Sequence, residues 1–346
     1  MVTSYIGADV DCKMIDIAVE QRKKIVARYR VPTNIPALRA LLKDIPGKKE
    51  LAFEEGALAH WLWRNLRQDV DRLVVCDPRR NAYIAKDGDK DDPIDAGKLA
   101  ELLRGGYLRE VYHSDNDRQV TLKRWVGMYH DRVHEAVRQI NKLRGCCRHY
   151  GIRPPRATLR DLSYREEWMA HLPERELQAQ LRMFWPGLDA TQEQVRMCRR
   201  EVSRLAKAYP IIDAWQALPG VGLIRAVTLY AYLDTPWRFK KPSKLWKYCG
   251  VGLERSSSGK DRWGKPKKGL LQLAWRVNKR VKDAVMGAAL SAIRQGENPF
   301  ATQYERLVRN GLTPANARHT VARKMLSVMW GMWKTDRPFD PGLVCD

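Results

Sequence analysis

The 346-residue chain lacks the features of a membrane or secreted protein. It has no run of about eighteen uncharged apolar residues, so the sequence offers no membrane-spanning helix. The N-terminus lacks the basic start and long apolar stretch of a signal peptide, so we expect a cytoplasmic, nucleoid-associated protein. The seven cysteines are odd in number and form no C-x-x-C pair, which supports neither a disulfide framework nor a zinc ribbon. Cys146 and Cys147 are most simply a reduced structural pair.

Acidic residues are scarce relative to basic ones, and the imbalance is uneven along the chain. The net charge is +23. Residues 1–105 hold 19 Lys and Arg against 17 Asp and Glu, whereas residues 106–346 hold 44 against 23. Such a surplus implies a polyanionic partner, because neutralising phosphates releases counterions and drives binding. We therefore expect nucleic acid as a partner, with a membrane surface as the rival polyanion. The length suits two or three domains.

The acids of the N-terminal third collect at the ends of strand-like apolar runs. Asp9 and Asp11 lie on one face of S4-Y-I-G-A-D-V-D, since side chains alternate along a strand. Glu54 and Glu55 close L51-A-F-E-E-G, and Asp77 closes L73-V-V-C-D. A solvated strand end explains any one of these acids, but their recurrence points to a shared role.

Two further carboxylates, Asp92 and Asp95, start a helical pattern. Their three-residue spacing places both on one helix face, although capping of a helix N-terminus would also explain acids there. Together with Asp9 and Glu54 they fit a cluster of hard oxygen ligands for a divalent metal, Mg²⁺ or Mn²⁺.

Hydrophobic periodicity over residues 1–105 predicts an α/β domain of ribonuclease-H-like layout, a sheet with helices packed on it. Three hairpin-like strands come first, followed by alternating helices and strands. The predicted strands are 3–10, 14–20, 23–30, 50–54 and 72–76, and the predicted helices are 35–44, 57–68 and 93–105.

The basic middle of the chain has the pattern of a helical hairpin. A long amphipathic helix runs from 117 to about 150, the segment G151-I-R-P-P-R breaks it, and helical patterning returns from about 173. This hairpin would be a bundle or dimerisation stalk, or a basic surface that clasps RNA or DNA, and both can hold. We predict three domains, at 1–110, 111–212 and 213–346, the last of them mostly α-helical.

The C-terminal part opens with the turn A217-L-P-G-V-G. Gly220 and Gly222 permit a tight turn whose amides can approach a phosphate, as in helix-hairpin-helix DNA binders, although a plain turn is the alternative.

A serine run at 256–258 follows and leads into a cluster of cations. The run is typical of a flexible loop. A hydroxyl among cations is also well placed to attack a phosphodiester or to bind it. The candidate nucleic-acid ligands here are Lys260, Arg262, Lys265, Lys267 and Lys268.

Both ends of the chain resemble one family, the IS110 insertion-sequence transposases. The N-terminal motifs G-A-D-V-D-C-K, F53-E-E-G-A-L-A-H-W-L, V-V-C-D-P and D92-P-I-D-A-G-K-L-A-E-L-L are similar to its RuvC-like DEDD domain. The series L218-P-G-V-G, R238-F, Y248-C-G, S257-S-G, G269 and A322-R-K-M is similar to its C-terminal transposase domain.

The resemblance implies a recombinase that is guided by a structured noncoding bridge RNA and acts as a homo-oligomer on donor and target DNA. It assigns the metal-binding tetrad to Asp9, Glu54, Asp92 and Asp95, and the catalytic serine to Ser258. The acid motif reads E-E-G where many relatives have E-x-T-G, so Glu55 stays an alternative to Glu54. Three consecutive serines leave the nucleophile open within 256–258, and K268-G-L-L-Q-L-A lacks the usual Asn and Arg.

Two rival functions remain. One is a RuvC-like nuclease in which metal-activated water cuts and the serine loop only binds. The other is an inactive scaffold that binds nucleic acid.

Overall fold

The chain forms two compact units, Met1–Asp115 and Asn116–Asp346. They are seen in a computed structural model that describes residues 2–78, 92–159, 161–256, 270–274 and 277–345. Within that range the side chains of residues 92, 93, 255, 256, 270, 271 and 345 lie outside the description.

The first unit is built on a five-stranded sheet in the order β3-β2-β1-β4-β5. Its first three strands form an antiparallel meander, and β4 and β5 run parallel to β1. Arg22 and Lys23 both adopt positive φ in the two-residue turn between β2 and β3, as a tight hairpin requires. The strands are β1 (Thr3–Val10), β2 (Met14–Gln21), β3 (Lys24–Pro32), β4 (Lys48–Glu54) and β5 (Arg72–Cys76).

Helices α1 (Ile35–Asp44) and α2 (Ala59–Leu66) cover one face of the sheet. Asn34 caps α1 by accepting a hydrogen bond from the amide of Ala37 at 2.9 Å, which satisfies an otherwise free donor. The core beneath these helices is apolar, because alternate strand residues point toward it. It includes Ile6, Ile17, Leu38, Leu51, Phe53, Leu62 and Leu66. A third helix, α3 (Asp92–Gly105), packs on the opposite face.

The second unit begins with an antiparallel pair of long helices, α4 (Asp117–His149) and α6 (Arg175–Ala206). Gln139 of α4 donates to Thr191 of α6 at 3.0 Å, and the Cys146 thiol donates to Gln180 at 2.8 Å. The residue farther along α4 contacts the residue nearer the start of α6, so the two helices run in opposite directions. The predicted hairpin is therefore present.

Helix α5 (Leu162–Ala170), which lies between the two long helices in the chain, is absent from the elements predicted from the sequence. This helix is held to α6 by Arg165, which is 3% exposed and makes two hydrogen bonds, of 2.7 and 2.8 Å, to the carboxylate of Asp189. Its guanidinium also lies 4.1 Å from the ring centre of Trp185. Met169 of α5 is also fully buried in a core cluster with Leu177 and Leu181 of α6. In so short a helix these few contacts give little apolar periodicity in the sequence.

The remaining helices pack around one apolar core together with the start of α4. At its centre the indole of Trp215, fully buried, donates to the carbonyl oxygen of Met329 at 2.9 Å. The elements are α7 (Pro210–Gln216), α8 (Leu223–Leu233), α9 (Pro242–Tyr248), β6 (Leu253–Ser256), β7 (Leu270–Leu273), α10 (Lys279–Gln295), α11 (Pro299–Arg309), α12 (Pro314–Thr335) and α13 (Gly342–Cys345).

The structure confirms a mixed α/β N-terminal domain followed by a mostly helical region. The predicted strands and helices of residues 1–105 are all present, with ends that differ by a few residues. The division of the second unit into two separate domains stays a prediction. Over the described ranges no helix combines the length and apolar character needed to cross a bilayer.

A half-buried histidine, His130, joins the hairpin to the C-terminal helices. The hydroxyl of Thr228 donates to the carbonyl of Ile224 at 2.6 Å, so its oxygen is available to accept from His130 Nε2 at 2.9 Å. Burial, followed by the charge of Arg280, lowers the pKa of His130 to about 4. The imidazole is therefore neutral in the folded protein near neutral pH.

We expect this histidine to make folding of the second unit sensitive to acid. The pKa of His130 in the folded protein lies below the unfolded value of about 6.5. The stability that the neutral imidazole gives to the fold is therefore complete above pH 6.5 and is lost as the pH falls toward 4. His130→Gln keeps a hydrogen-bond donor for Thr228 but cannot be protonated. It should reduce the loss of unfolding free energy at acid pH by on the order of 1–2 kcal/mol, a figure that allows for solvent screening. Urea unfolding measured between these pH values checks this, and parallel curves for both proteins would contradict it.

Candidate functional site

Helix α3 rests directly on strand β1 at Gly7. A Cβ atom at Gly7 would lie 2.1 Å from the carbonyl oxygen of Ala96 and 2.6 Å from the amide nitrogen of Ala100, distances that no side chain allows. The other end of the helix is held by an ion pair between Arg104 and Glu20, a β2 residue that is 1% exposed. Glycine at this strand position therefore sets how closely α3 approaches the sheet.

Two acids at the strand ends face the same side as this helix. Asp9 lies two residues after Gly7 on β1, so both point toward α3. Glu54 lies two residues after Ala52, which packs with Leu103 of α3. The last registered pair of the parallel strands β1 and β4 comes one residue before these acids, so Asp9 and Glu54 end neighbouring strands at the same level. Both side chains are half-buried.

Helix α3 supplies a third acid on this face. Asp95 immediately precedes Ala96, the residue whose carbonyl faces Gly7. Its side chain is half-buried, and among the described atoms its Oδ1 is buried without a hydrogen-bond partner. Asp92 begins the same helix three residues earlier, but its side chain is outside the described residues. A buried carboxylate oxygen without a donor is costly unless a ligand satisfies it.

Carboxylate oxygens of this kind suit a hard divalent cation. Asp9, Glu54 and Asp95 therefore fit such an ion in chemistry and in the sheet face they share. Their side chains do not converge on one metal position. Among the side chains that the structure describes, no three His, Cys, Asp or Glu lie close enough together to hold a metal ion.

The alternative acid, Glu55, points to the other face of the sheet. It accepts a hydrogen bond from His113 Nε2 at 2.8 Å. The ring of His113 stacks on His60 and Trp63 of α2, with ring centres 5.7 and 5.5 Å apart. Glu55 thus belongs to an aromatic and imidazole cluster on the α2 side, away from the face of Asp9 and Asp95.

The segment that carries Ser258 is held at both of its ends by a strand pair. Strands β6 and β7 are antiparallel, and Ser256 pairs with Leu270, so the two ends of the segment lie side by side. At the base, Arg323 of α12 donates to the carbonyl of Val251 at 3.0 Å. The segment itself lies outside the described residues, which applies to Ser257, Ser258, Lys260, Arg262, Lys265, Lys267 and Lys268.

The turn between α7 and α8 has the predicted tight geometry, and packing explains one of its glycines. Gly220 has φ +78°, and a Cβ there would lie 2.3 Å from the carbonyl oxygen of Ala288 on α10. Gly222 is the N-cap of α8, and open space surrounds the position of its absent Cβ. Arg225 stabilises the turn by donating to the carbonyl of Gly220 at 2.6 Å and to Ser291 at 2.8 Å. Gly220 therefore has a structural role, whatever the turn binds.

Two family models match the chain. One, described as a transposase DEDD domain of the IS110 type, matches residues 6–152. The other, described as the transposase IS116/IS110/IS902 family, matches residues 213–305. Together the two matches span more than half of the chain. They include the acids of the first unit and the glycine turn and serine segment of the second. The chain belongs to the IS110 family of transposases.

The chain is also similar to individual transposases and insertion-element proteins. A protein of Sinorhizobium fredii named as a transposase, y4qE, is 26% identical over 96% of this chain and 89% of its own length. The transposase for insertion sequence element IS1111A of Coxiella burnetii is 23% identical over 70% of this chain and 65% of its own length. A 43.6 kDa protein of insertion element IS110 from Streptomyces coelicolor is 26% identical over 42% and 34%.

One further acid of this transposase, Asp16 of β2, was not among the predicted site residues. It lies directly opposite Asp9 in the β1–β2 register and is only 7% exposed. Arg30 of β3 lies 3.8 Å from its carboxylate. Like charges opposite each other in a sheet are destabilising. The short turn after Val10 could have revealed this pairing, because it fixes which residues of β1 and β2 face each other.

Substitution of Gly7 tests the contact that sets the position of α3. Gly7→Ala places a methyl group on the backbone of the helix, so we expect destabilisation of the first unit by about 1–3 kcal/mol or more. Gly56→Ala is the matched control, because nothing lies within 4 Å of a Cβ there and the change should stay within about 0.5 kcal/mol. Thermal and urea unfolding measure both variants. Equal stability of the two would show that the close approach at Gly7 is not a constraint.

Proposed function

We propose that the chain is the DNA transposase of an insertion sequence, which cuts and rejoins DNA with a divalent-metal site and a serine nucleophile. The observation that carries this proposal is the common face of Asp9, Glu54 and Asp95, with an unsatisfied buried oxygen on Asp95. The family assignment supports the reaction class, since transposases recombine DNA.

The first unit is then a RuvC-like domain of the ribonuclease-H-like class. Support comes from its strand order, in which a three-stranded antiparallel meander is extended by two parallel strands on the β1 side. In this arrangement the ends of β1 and β4 are adjacent, so acids from distant parts of the sequence share one edge of the sheet.

Asp9, Glu54, Asp92 and Asp95 would hold Mg²⁺ or Mn²⁺. When bound, the cation would polarise the scissile phosphate and stabilise the departing oxygen. The protein positions the ligands through Gly7, which lets α3 bring Asp95 to the sheet face of Asp9. Glu54 is the ligand in preference to Glu55, because Glu55 pairs with His113 on the opposite face.

Ser258 would be the nucleophile. Its Oγ would lose its proton and form a bond to the scissile phosphorus as the bond to the departing strand breaks. The departing oxygen would take up one proton in exchange and leave as a hydroxyl. The phosphoserine ester conserves the phosphodiester bond energy, so a second strand can later displace the serine and rejoin. Lys260 and Arg262 would balance the charge that develops on the phosphate.

The basic surplus of residues 106–346 would bind donor and target DNA and a structured noncoding guide RNA. The long hairpin of α4 and α6 presents cations at helical spacing without a base-reading motif, which suits recognition of nucleic-acid shape and backbone. The acids and the serine act on one phosphate in this scheme, within one chain or across a homo-oligomer.

Divalent metal should stabilise the protein through the acids on the α3 face. The unfolding temperature of each protein without metal is the baseline for this comparison. Mn²⁺ or Mg²⁺ should raise the unfolding temperature of wild type but not that of Asp9→Asn, Glu54→Gln or Asp95→Asn. Glu55→Gln is the matched control and should keep the full response. If only Glu55→Gln lost the response to metal, Glu55 would be the metal ligand and Glu54 would not.

Recombination should proceed through a covalent protein–DNA adduct. With a nicked target that blocks rejoining, denaturing gels should show DNA-shifted protein, and peptide mapping should place the link on Ser258. Ser258→Ala should eliminate the adduct, whereas Ser256→Ala should retain it. Continued cleavage by Ser258→Ala with free 5′-phosphate ends and no adduct would identify a RuvC-like nuclease instead.

A guide RNA should remain with the purified protein. Protein from cells that also carry its flanking noncoding DNA should retain one defined RNA species, and binding should weaken steeply with salt. Sequencing of the retained nucleic acid measures this. A heterogeneous mixture that matches the cellular RNA pool would argue against a guide.

A further inference from the structure

A tryptophan projects from the second unit into solvent. Trp237 lies in the short turn Pro236–Arg238 between α8 and α9, and 71% of its surface is exposed. Among the described residues it is the only tryptophan with a large exposed surface. Neither the metal site nor the serine segment uses this residue, and tryptophan is on average among the more buried residue types.

The turn beneath Trp237 is fixed by hydrogen bonds. The indole of Trp330 on α12 donates to the carbonyl of Pro236 at 2.8 Å, and the amide of Trp237 donates to Thr235 Oγ1 at 3.4 Å. The next side chain, Arg238, points inward and donates to the carbonyl of Tyr232 at 3.1 Å. An exposed ring on a rigid turn is already positioned for a ligand, so binding costs little conformational entropy.

A lysine occupies part of one face of the exposed ring. The ammonium of Lys334 lies 5.0 Å from the ring centre of Trp237 and 3.7 Å from that of Trp330. Cation–π attraction orients the indole, most of whose surface is still exposed.

The neighbouring surface is basic. Residues 234–247 contain five Lys or Arg and one acid. Three of these lysines, Lys240, Lys241 and Lys244, are exposed immediately after the turn. A flat apolar face beside exposed cations is the combination that binds single-stranded nucleic acid, in which bases stack and phosphates pair with lysine.

We infer that Trp237 stacks on an unpaired base of bound nucleic acid while Lys240, Lys241 and Lys244 contact the adjoining phosphates. The inference rests on nucleic acid as a partner, which is part of the proposed function, but not on the metal or the serine. The base belongs to unpaired DNA or to a loop of RNA, since both present the same π-face and phosphate charge.

Binding of short single strands to the full-length protein tests the inference. Fluorescence anisotropy with a labelled single strand should give a 5- to 150-fold loss of affinity for Trp237→Ala, roughly the range for stacking of one base on an aromatic ring. Trp237→Phe should recover part of the affinity. A fully paired duplex should bind wild type and Trp237→Ala with equal affinity. Met183→Ala, at an exposed apolar position on α6 that is 83% exposed, is the matched control and should bind like wild type.

The dependence of affinity on salt separates stacking from charge. Trp237→Ala should leave the slope of log affinity against log salt unchanged, whereas Lys241→Ala should reduce it by roughly 0.7 for one phosphate contact. Unchanged single-strand affinity in Trp237→Ala would overturn the inference while leaving the proposed function intact. Failure of wild type to bind any nucleic acid would overturn both.

Photo-crosslinking identifies the residue and the source of the base. Oligonucleotides of DNA and of RNA that carry 5-iodouracil should crosslink to a peptide containing Trp237, and the stronger of the two reactions identifies the natural partner. A crosslink elsewhere would reject the assignment. A Trp237→Ala variant with normal binding but a changed oligomeric state would place the tryptophan at a subunit interface instead.

Discussion

The contact between Gly7 and helix α3 is the constraint on which the candidate site depends. A helix that approaches a strand until its carbonyl oxygen would lie 2.1 Å from a Cβ atom leaves room only for glycine. That approach places Asp95, one residue before the contact, on the sheet face of Asp9 and Glu54. The Arg104–Glu20 ion pair fixes the far end of the same helix, so α3 has little freedom to slide or tilt. Geometry of this kind positions ligands through backbone packing, which is more rigid than side-chain packing alone.

The same face of the sheet carries several carboxylates. Asp9 and Asp16 lie opposite each other on antiparallel strands, and an oxygen of Asp95 is buried without a donor. A stable fold without a ligand would place neutral or apolar residues at such positions.

In the C-terminal unit, the apolar core and the hydrogen bond from Arg323 to Val251 stabilise the base of the β6–β7 strand pair. The segment between these two strands carries the proposed nucleophile.

Periodicity predicted every strand and helix of residues 1–105 and the long hairpin, because those elements alternate or repeat apolar residues along the chain. Helix α5 was missed because it is short and is held by few contacts, the ion pair of Arg165 with Asp189 and the burial of Met169. The sequence assigned Glu54 and left Glu55 as an alternative, and the strand face that distinguishes them is visible only in the structure, where Glu55 pairs with His113. Asp16 was missed because its importance arises from strand register. The role of Gly220 could be seen only in the packing of α10, although its turn could be predicted.

The most direct test of the account is the position of a bound metal. Crystals of the transposase soaked with Mn²⁺ should show an anomalous peak at the edge of the sheet where β1 and β4 end, coordinated by Asp9, Glu54 and Asp95 beneath the start of α3. Coordination by carboxylate oxygens at this position would show that the approach of α3 over Gly7 assembles the site. A peak at the Glu55 and His113 cluster on the opposite face, or no ordered ion beside Asp95, would contradict it.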